Sequence, residues 1–323
     1  MSQKIKWGIL GLGKMAGKFC DGLKHASNAK LYAVASRDLN KAEEFGAKFE
    51  AEKSYGSYEE LLKDEAVQVV YIATPHAFHH ELAIKCIAHG KAVLCEKPFA
   101  LNYKQAREMI SLAREKNVFI MEALWTAFLP HFRDLESKFK NKEYGKLKSL
   151  KADFGFPAEF DETKRLFNKS LGGGSLLDIG IYPVFLAYRL LGMPNRITAE
   201  AQLAETGVDE SCDIKFHYDQ NIDVELTSTF KEKTPTEAVL EFEESKVIMN
   251  SRFHEPTSIT THQNGKHEVR DYGVENNGYT YEAEHVGEML LNNKTESDIW
   301  STENTLELMQ LLDSIRKEIK LEY

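Results

Sequence analysis

The sequence contains little cysteine, and none of it is arranged for cross-linking or for binding a metal. Four cysteines occur in 323 residues and they form no CxxC pair; they are Cys20, Cys86, Cys95 and Cys212. A disulfide framework is therefore not indicated. We expect reduced thiols, mostly buried, in a cytoplasmic protein.

Basic runs and long apolar runs are also missing. The net charge is -9, and no run of five or more Lys or Arg occurs, so nucleic acid and anionic membranes are not expected partners. No segment approaches the roughly 20 apolar residues that a membrane span needs. The N-terminus, MSQKIKWGILGLG, lacks the long apolar stretch and cleavage site of a signal peptide.

The composition is that of an ordinary globular protein, with 42% hydrophobic and 28% charged residues in 323. At roughly 100 to 200 residues per domain, this length predicts two domains. We place them at residues 1–121 and 122–323.

From Lys4 to about Met121, short apolar strands alternate with helical patterns. The predicted strands are IKWGIL, LYAVAS, VQVVYIAT, KAVLCE and VFIME, and the predicted helices lie near Lys14–Lys24 and begin at Asn40, His80 and Tyr103. This alternation is typical of an α/β Rossmann domain, a parallel sheet with helices on both faces.

After Phe128 the strands become longer, and several alternate with period two. The candidates are LKSLKADFGF, ITAEAQLA, SCDIKFHY, IDVELTSTF, EAVLEFEE, SKVIMNS and TSITTHQ. They predict an α+β domain with one large, mostly antiparallel sheet. Helical patterns occur at 175–191, 281–291 and 302–319, and Pro183 predicts a kink in the first of them because an interior proline removes a backbone hydrogen bond.

The first predicted strand runs into Gly11-Leu12-Gly13-Lys14-Met15-Ala16, a GxGxxA pattern just before a predicted helix. Glycines at a strand-to-helix turn let the backbone approach a pyrophosphate, and the helix N-terminus supplies free N–H groups. We expect Gly11, Gly13, Lys14 and Met15 to bind a dinucleotide. A purely structural glycine turn is the alternative.

The second predicted strand ends in Ser36-Arg37-Asp38. A cation at this strand end accommodates the 2′-phosphate of NADP, whereas an acid grips the ribose 2′-hydroxyl of NAD. Ser36 and Arg37 suit a phosphate and favour NADP. Asp38 keeps NAD binding as one alternative, although it lies one residue later than the acid that binds the ribose of NAD. The other alternative is that Arg37 lies on a solvated loop and binds no cofactor.

Two further strand ends add polar groups at the edge where parallel sheets bind ligands. Thr74-Pro75-His76-Ala77-Phe78-His79 follows one strand, and Glu96-Lys97-Pro98 follows the next. We assign Thr74, Pro75, His79, Glu96 and Lys97 to the cofactor site. A metal-dependent hydrolase or lyase using His76, His79 and His80 is the rival interpretation, but no carboxylates are arranged to complete the three or four ligands that zinc needs.

Together, the GxGxxA turn, the TPxxxH stretch and Glu96-Lys97-Pro98 resemble the family named after glucose-fructose oxidoreductase, inositol dehydrogenase and a rhizopine-catabolism protein. Further stretches resemble its dimeric dihydrodiol dehydrogenase branch, namely residues 121–126, 172–182, 281–285 and 295–297. The resemblance covers nearly the whole chain.

This resemblance implies an NAD(P)-dependent oxidoreductase acting on CH-OH or CH-CH donors, with a C-terminal sheet often used for dimerisation. It also implies that Lys97 lies near nicotinamide and substrate and that the Lys97–Pro98 bond is cis. Many relatives read DxGxH where this chain has Asp178-Ile-Gly-Ile-Tyr182. Tyr in place of His weakens the analogy to inositol dehydrogenases.

Carbonyl reduction needs a proton donor and positive charge where the alkoxide develops. We assign proton donation to Tyr182, the cation to Lys97, and the orientation of a substrate hydroxyl or of Lys97 to Asp178, which lies one helical turn from Tyr182. Each residue also has a structural alternative. Lys97 can be a solvated surface lysine, Asp178 can stabilise the dipole of a helix, and Tyr182 can pack in the core.

Three more residues are candidates for substrate binding: Trp125, Phe128 and Arg165. The aromatic pair can wall the pocket or belong to the core, and Arg165 can reach substrate hydroxyls or lie on the surface. We expect a cytoplasmic homodimer that acts on a sugar, polyol or diol. A non-catalytic NAD(P)-binding sensor of the same fold is the alternative.

Overall fold

The computed structural model describes residues 4–219 and 221–323, so Met1–Gln3 of the predicted first domain lie outside the described residues. Contacts within the chain separate it into two compact units. The first unit is residues 1–128 and 274–306, and the second is 129–273 and 307–323. The predicted division at 121/122 differs from these units, because residues 274–306 return to the first one.

The first unit contains a six-stranded sheet, every pair of which is parallel. Its strands are β1 (Ile5–Leu10), β2 (Ala29–Ala35), β3 (Lys53–Tyr55), β4 (Val69–Ile72), β5 (Ala92–Glu96) and β6 (Ile120–Ala123), in the order β3-β2-β1-β4-β5-β6. The helices are α1 (Lys14–Leu23), α2 (Leu39–Phe49), α3 (Tyr58–Lys63), α4 (His79–Ala88) and α5 (Tyr103–Lys116). This confirms the predicted Rossmann domain; β4 and β5 are buried throughout, as central parallel strands are.

The second unit contains an eight-stranded sheet in which only the β7–β10 pair is parallel among the described strands. Its helices are α6 (Pro130–Lys140) and α7 (Ile181–Leu191), and its strands are β7 (Leu147–Gly155), β8 (Arg196–Leu203), β9 (Asp209–His217), β10 (Asp223–Thr229), β11 (Ala238–Phe242), β12 (Ser245–Met249), β13 (Ile259–Gln263) and β14 (Lys266–Arg270). The last helices of the chain are α8 (Tyr279–Leu291) and α9 (Thr302–Glu318). The predicted large, mostly antiparallel sheet is confirmed.

The segment before α7 is a π-helical turn, Leu176–Gly180. The helix predicted from residue 175 begins at Ile181 instead, so Pro183 lies in its first turn, where a missing backbone N–H is tolerated, and not in a helix interior. Lys169–Leu191 is long and apolar enough to cross a membrane, which corrects the expectation that no segment reaches this length. Since 89% of its apolar window is buried inside the fold, the stretch has the character of a core helix.

Candidate active site

The glycine turn after β1 has the geometry of a phosphate-binding turn. Gly11 has a φ of +87°, and a Cβ there would lie 2.8 Å from the backbone nitrogen of Thr74, so only glycine fits. Gly13 caps α1 without a side-chain hydrogen bond, and the first turn of α1 carries no acid. A Cβ on Gly13 would meet nothing within 4 Å, so the helix N-terminus is open to an anion such as a pyrophosphate.

At the end of β2, the carboxylate of Asp38 is committed to a helix. It caps α2 by accepting hydrogen bonds from the backbone N–H groups of Asn40 (3.0 Å) and Lys41 (3.4 Å). Arg37 is exposed and Ser36 half-buried at the same strand end. Because the one acid here serves as an N-cap, the strand end presents a hydroxyl and a guanidinium, which is the combination that suits a 2′-phosphate.

His79 connects the two polar segments that follow β4 and β5. Its ring is fully buried, with Nδ1 2.9 Å from the carbonyl oxygen of Pro98 and Nε2 2.8 Å from that of Thr74. The Lys97–Pro98 bond is cis, as the resemblance implied. His79 therefore fixes the positions of both segments, including the chain that carries Lys97.

The rival metal hypothesis finds no support in these contacts. Both ring nitrogens of His79 face carbonyl oxygens, and Nε2 of His80 lies 2.9 Å from a carboxylate oxygen of Glu108. Within residues 4–219 and 221–323, no group of three His, Cys, Asp or Glu is arranged to hold a metal ion.

Two buried glutamates brace the Glu96-Lys97-Pro98 segment. Glu96 accepts hydrogen bonds from the Tyr71 hydroxyl and, at 3.2 Å, from the backbone N–H of Lys97. Glu122 accepts from the backbone N–H of Phe99 and from Trp300 Nε1, each at 3.1 Å. Burial raises the pKa of Glu122 to about 7. The backbone on both sides of Pro98 is thus held by carboxyl groups.

Trp125 and Phe128 are both 5% exposed. The Trp125 ring stacks on Tyr279 of α8 with centroids 4.3 Å apart, and the Phe128 ring lies 5.1 Å from His285. Their role in substrate binding stays a prediction. Sequence reasoning missed Tyr279, since nothing near it in the sequence marks it as a partner of Trp125.

In the second unit, Arg165 forms a bidentate ion pair with Asp178. Its two terminal nitrogens donate to the two carboxylate oxygens at 2.8 and 3.2 Å, and Asp178 is 8% exposed. The sequence suggested that Arg165 either reaches substrate hydroxyls or lies on the surface. The structure instead gives it a defined partner, one of the predicted catalytic residues.

Tyr182 lies in an aromatic cluster that includes a residue the sequence reasoning missed. The ring of His254 is 4.6 Å from that of Tyr182 and stacks on Phe154 at 4.3 Å. Tyr182 and His254 are both buried. His254 precedes Glu255-Pro256 in a loop without a recognisable motif, so no sequence signal could have identified it.

The predicted site residues thus fall into two sets. The first unit contains Gly11, Gly13, Lys14, Met15, Ser36, Arg37, Thr74, Pro75, His79, Glu96, Lys97, Trp125 and Phe128, and the second contains Arg165, Asp178 and Tyr182. The carboxyl ends of β1, β2, β4 and β5 bring most of the first set to one edge of the parallel sheet.

Two family models match the chain. The model described as an oxidoreductase family with an NAD-binding Rossmann fold matches residues 5–124, and the GFO/IDH/MocA C-terminal domain matches residues 132–246. The chain belongs to the GFO/IDH/MocA oxidoreductase family. The family resemblance drawn from the motifs is therefore confirmed.

Full-length relatives agree with this assignment. The chain is 36% identical to trans-1,2-dihydrobenzene-1,2-diol dehydrogenase of Xenopus tropicalis, over 98% of this chain and 99% of the relative. It is 34% identical to the Homo sapiens protein of the same name, over 98% and 97%. Together with the family model of the Rossmann domain, these relatives confirm the prediction of an NAD(P)-dependent oxidoreductase.

Solved structures show the same fold at lower identity. An aldose-aldose oxidoreductase from Caulobacter crescentus superposes with a TM-score of 0.89 at 21% identity, with 98% of each chain covered. A 3-ketoreductase from Actinomadura kijaniata, solved with NADP, gives 0.87 at 22% identity with the same coverage. The chain thus shares the fold of these two proteins.

Proposed function

We propose that this GFO/IDH/MocA protein is an NADP-dependent oxidoreductase that transfers a hydride between nicotinamide and a carbonyl or hydroxyl carbon of a sugar, polyol or trans-dihydrodiol. The observation that carries the proposal is that Lys97 follows β5 at the same sheet edge as the glycine turn. Support for NADP over NAD comes from the N-cap role of Asp38, which leaves Ser36 and Arg37 to meet the 2′-phosphate.

The residues supply what hydride transfer to a carbonyl requires. A nicotinamide cofactor held at the glycine turn would supply or accept the hydride. In the second unit, the Tyr182 hydroxyl can donate a proton to a carbonyl oxygen. In the first unit, the Lys97 ammonium can stabilise negative charge that develops on a substrate oxygen. Asp178, held by Arg165, orients a substrate hydroxyl.

The substrate class rests on the names of relatives. Two are trans-1,2-dihydrobenzene-1,2-diol dehydrogenases that span nearly the same length, and two fold neighbours act on sugars or keto groups by their titles. A hydroxylated ring, apolar on its faces and polar at its edge, matches the set Tyr182, Asp178 and Arg165.

The first experiment is a fluorescence titration of the purified protein with NADPH and NADH, followed by aldoses, trans-dihydrodiols and dicarbonyls added to the saturated complex. We expect tighter NADPH binding and turnover with at least one compound. Lys97→Met and Tyr182→Phe should lower kcat at least about 100-fold, in the range that general acid and electrostatic groups contribute. Lys104→Met, on an exposed position of α5, is the control.

Tight NADPH binding without turnover of any compound would favour the alternative, a non-catalytic NAD(P)-binding sensor. No binding of either nucleotide would contradict the proposal itself.

We also propose that the protein is a homodimer that uses the exposed face of the eight-stranded sheet. Cross-strand pairing aligns one row of residues on one side of all eight strands, in the order Thr198, Lys215, Glu225, Lys151, Val239, Ile248, Thr260 and Val269. All of them except Thr260, which is buried, are at least partly exposed. One half of the row is charged or polar, and the other is largely apolar. A second copy related by a two-fold axis can cover such a face with its own.

Light scattering at micromolar concentration tests this proposal, with a dimer expected for the wild type and weaker association for Ile248→Lys. A monomeric wild type would contradict it. We place the protein in the cytoplasm, a proposal supported by its four free, buried cysteines.

A further inference from the structure

The glycine run Gly172–Gly174 determines where Asp178 and Arg165 meet. The backbone N–H of Gly174 donates to the carbonyl oxygen of Leu166 at 2.8 Å, directly after Arg165. The carbonyl oxygen of Gly174 accepts from the backbone N–H of Asp178 at 3.3 Å. Both members of the ion pair are therefore tied to the same glycine, and a displacement of this loop changes the alignment of the pair.

Asp209, at the start of β9, holds the other end of the loop. Its Oδ2 accepts hydrogen bonds from the Ser175 hydroxyl at 2.7 Å and from the backbone N–H of Leu176 at 2.6 Å. The Ser175 hydroxyl is also 3.0 Å from that of Ser228 on β10. Asp209 is fully buried, and the backbone N–H that it binds belongs to the first residue of the π turn that carries Asp178.

Tyr323 closes the loop on its remaining side. Its hydroxyl donates to the carbonyl oxygen of Gly173, and Arg316 stacks on its ring at 5.1 Å. A Cβ on Gly174 would lie 2.2 Å from Asp209 Oδ1 and 2.8 Å from the Tyr323 hydroxyl, and Gly174 has a φ of +116°. Asp209 and Tyr323 therefore both lie against Gly174, a position that must be glycine.

We propose that Asp209 and Tyr323 are positioning residues, which clamp the glycine run and thereby hold the Arg165–Asp178 pair in place for substrate. The part of this proposal that concerns substrate binding rests on the proposed oxidoreductase function. The clamp itself rests only on the contacts within the second unit.

The clamp is sensitive to pH. Burial raises the pKa of Asp209 to about 6, although the hydrogen bonds from Ser175 and Leu176 favour the ionised form. The other titratable groups that face Asp209 are the Tyr323 phenol and the Cys212 thiol, and Arg316 lies behind Tyr323. Burial raises the pKa of both groups, and the charge of Asp209 raises it further. Below about pH 6 the carboxyl becomes neutral, and its hydrogen bonds lose their charge assistance.

The test uses the full chain and two clamp variants, Asp209→Asn and Tyr323→Phe. Their matched controls are Asp271→Asn, which also accepts a backbone N–H, and Tyr218→Phe, whose hydroxyl also donates to a glycine carbonyl, that of Gly192. The first readout is amide hydrogen exchange of residues 172–178, corrected for the intrinsic pH dependence. The second is steady-state kinetics with NADPH and a compound that the proposed screen identifies as a substrate.

We expect both clamp variants to exchange at least about fivefold faster at residues 172–178. Tyr323→Phe removes the hydrogen bond to the carbonyl oxygen of Gly173, and Asp209→Asn removes the charge that strengthens the hydrogen bonds from Ser175 and Leu176. In the wild type this exchange should rise as pH falls through 6, and in Asp209→Asn it should be independent of pH. KM for the carbonyl substrate should rise while the Kd for NADPH stays constant, and Asp271→Asn and Tyr218→Phe should behave as the wild type.

Exchange at 172–178 that is unchanged in both variants would overturn the clamp, whatever the activity. A wild type that binds NADPH without turnover would overturn the proposed function, while the exchange data would still decide whether the clamp exists. Since Asp209→Asn alters a buried group and can fail to fold, Tyr323→Phe provides the independent second measurement.

Discussion

Arg165 and Asp178 form an ion pair with two hydrogen bonds, from the terminal guanidinium nitrogens to the carboxylate oxygens at 2.8 and 3.2 Å, and Asp178 is buried. The guanidinium fork fixes the plane of the carboxylate as well as its position. A catalytic role for Asp178 therefore depends on Arg165, because Arg165 holds the Asp178 carboxylate in its position and orientation.

Arg165→Lys tests this dependence, because lysine keeps the charge and removes the fork. We expect kcat/KM to fall about tenfold, the loss that corresponds to about 1.4 kcal/mol of binding. Steady-state kinetics measure it, with Arg196→Lys, an exposed arginine of β8, as the control. Equal values for the wild type and Arg165→Lys would show that the fork is not needed.

Arg37→Ala should change the cofactor preference. Loss of the guanidinium should raise the Kd for NADPH about tenfold or more, as expected for a charge-assisted contact to phosphate, and leave that for NADH nearly constant. Fluorescence titration measures both constants, and Arg107→Ala on the exposed side of α5 controls for the loss of one positive charge. A parallel weakening of NADPH and NADH would place the 2′-phosphate elsewhere.

Glu282 on α8 is fully buried, and its carboxyl oxygens have no hydrogen-bond partner among the described residues. Burial, with a smaller effect of the negative charge on Glu96, raises the pKa of Glu282 well above its usual value. The folded state thus holds a proton that the unfolded chain releases above about pH 4.5, so this group makes the protein less stable as pH rises.

Glu282→Gln removes that proton linkage. The variant should gain stability relative to the wild type as pH increases from 5 to 8, by up to about 1.4 kcal/mol per pH unit. Thermal unfolding at several pH values measures the difference, with Glu288→Gln, exposed on the same helix, as the control. A difference that does not vary with pH would mean that Glu282 is ionised in the folded state.

Glu136 on α6 has the opposite effect on the pH dependence of stability from Glu282. Although burial opposes it, the hydrogen bond from Lys140 and the charges of Arg189 and Arg133 hold the pKa of Glu136 below its usual value. Its contribution to stability is present above the unfolded-state pKa and is lost as pH falls through the lower folded-state value.

Glu136→Gln should therefore destabilise the protein by about 3 kcal/mol at pH 7, as breaking a buried ion pair does, and by less in acid. Denaturant unfolding at pH 7 and pH 4 measures this, and Glu162→Gln, exposed and distant in sequence, should cost little at either pH. An equal cost at both pH values would contradict the ionic origin.

The local patterns predicted the elements well where one periodicity dominates. The strand IKWGIL is β1 residue for residue, and the glycine turn after it has the geometry that its motif requires. Helix α6 is absent from the elements that the sequence predicts, although Pro130 occupies its first turn, because period-two patterns dominate the sequence after Phe128.

Long-range contacts could not be predicted. The alternation of residues along β9 predicts that Glu210 faces inward together with Cys212 and that Asp209 faces outward. The structure buries Asp209 instead, at the point where the pairing of β8 with β9 shifts register between Gln202 and Leu203. No pattern in the sequence near Asp209 predicts its contact with Gly174, which lies 35 residues earlier. The return of residues 274–306 to the first unit is likewise a property of the fold alone.

The four cysteines have a practical consequence. All are buried and free, and burial raises their pKa values, that of Cys20 to about 12. Thiolate is the reactive form, so the folded protein presents almost no nucleophilic sulfur to an alkylating reagent. A single cysteine introduced at an exposed position would therefore take up a fluorophore or spin label selectively, with no need to remove the native four.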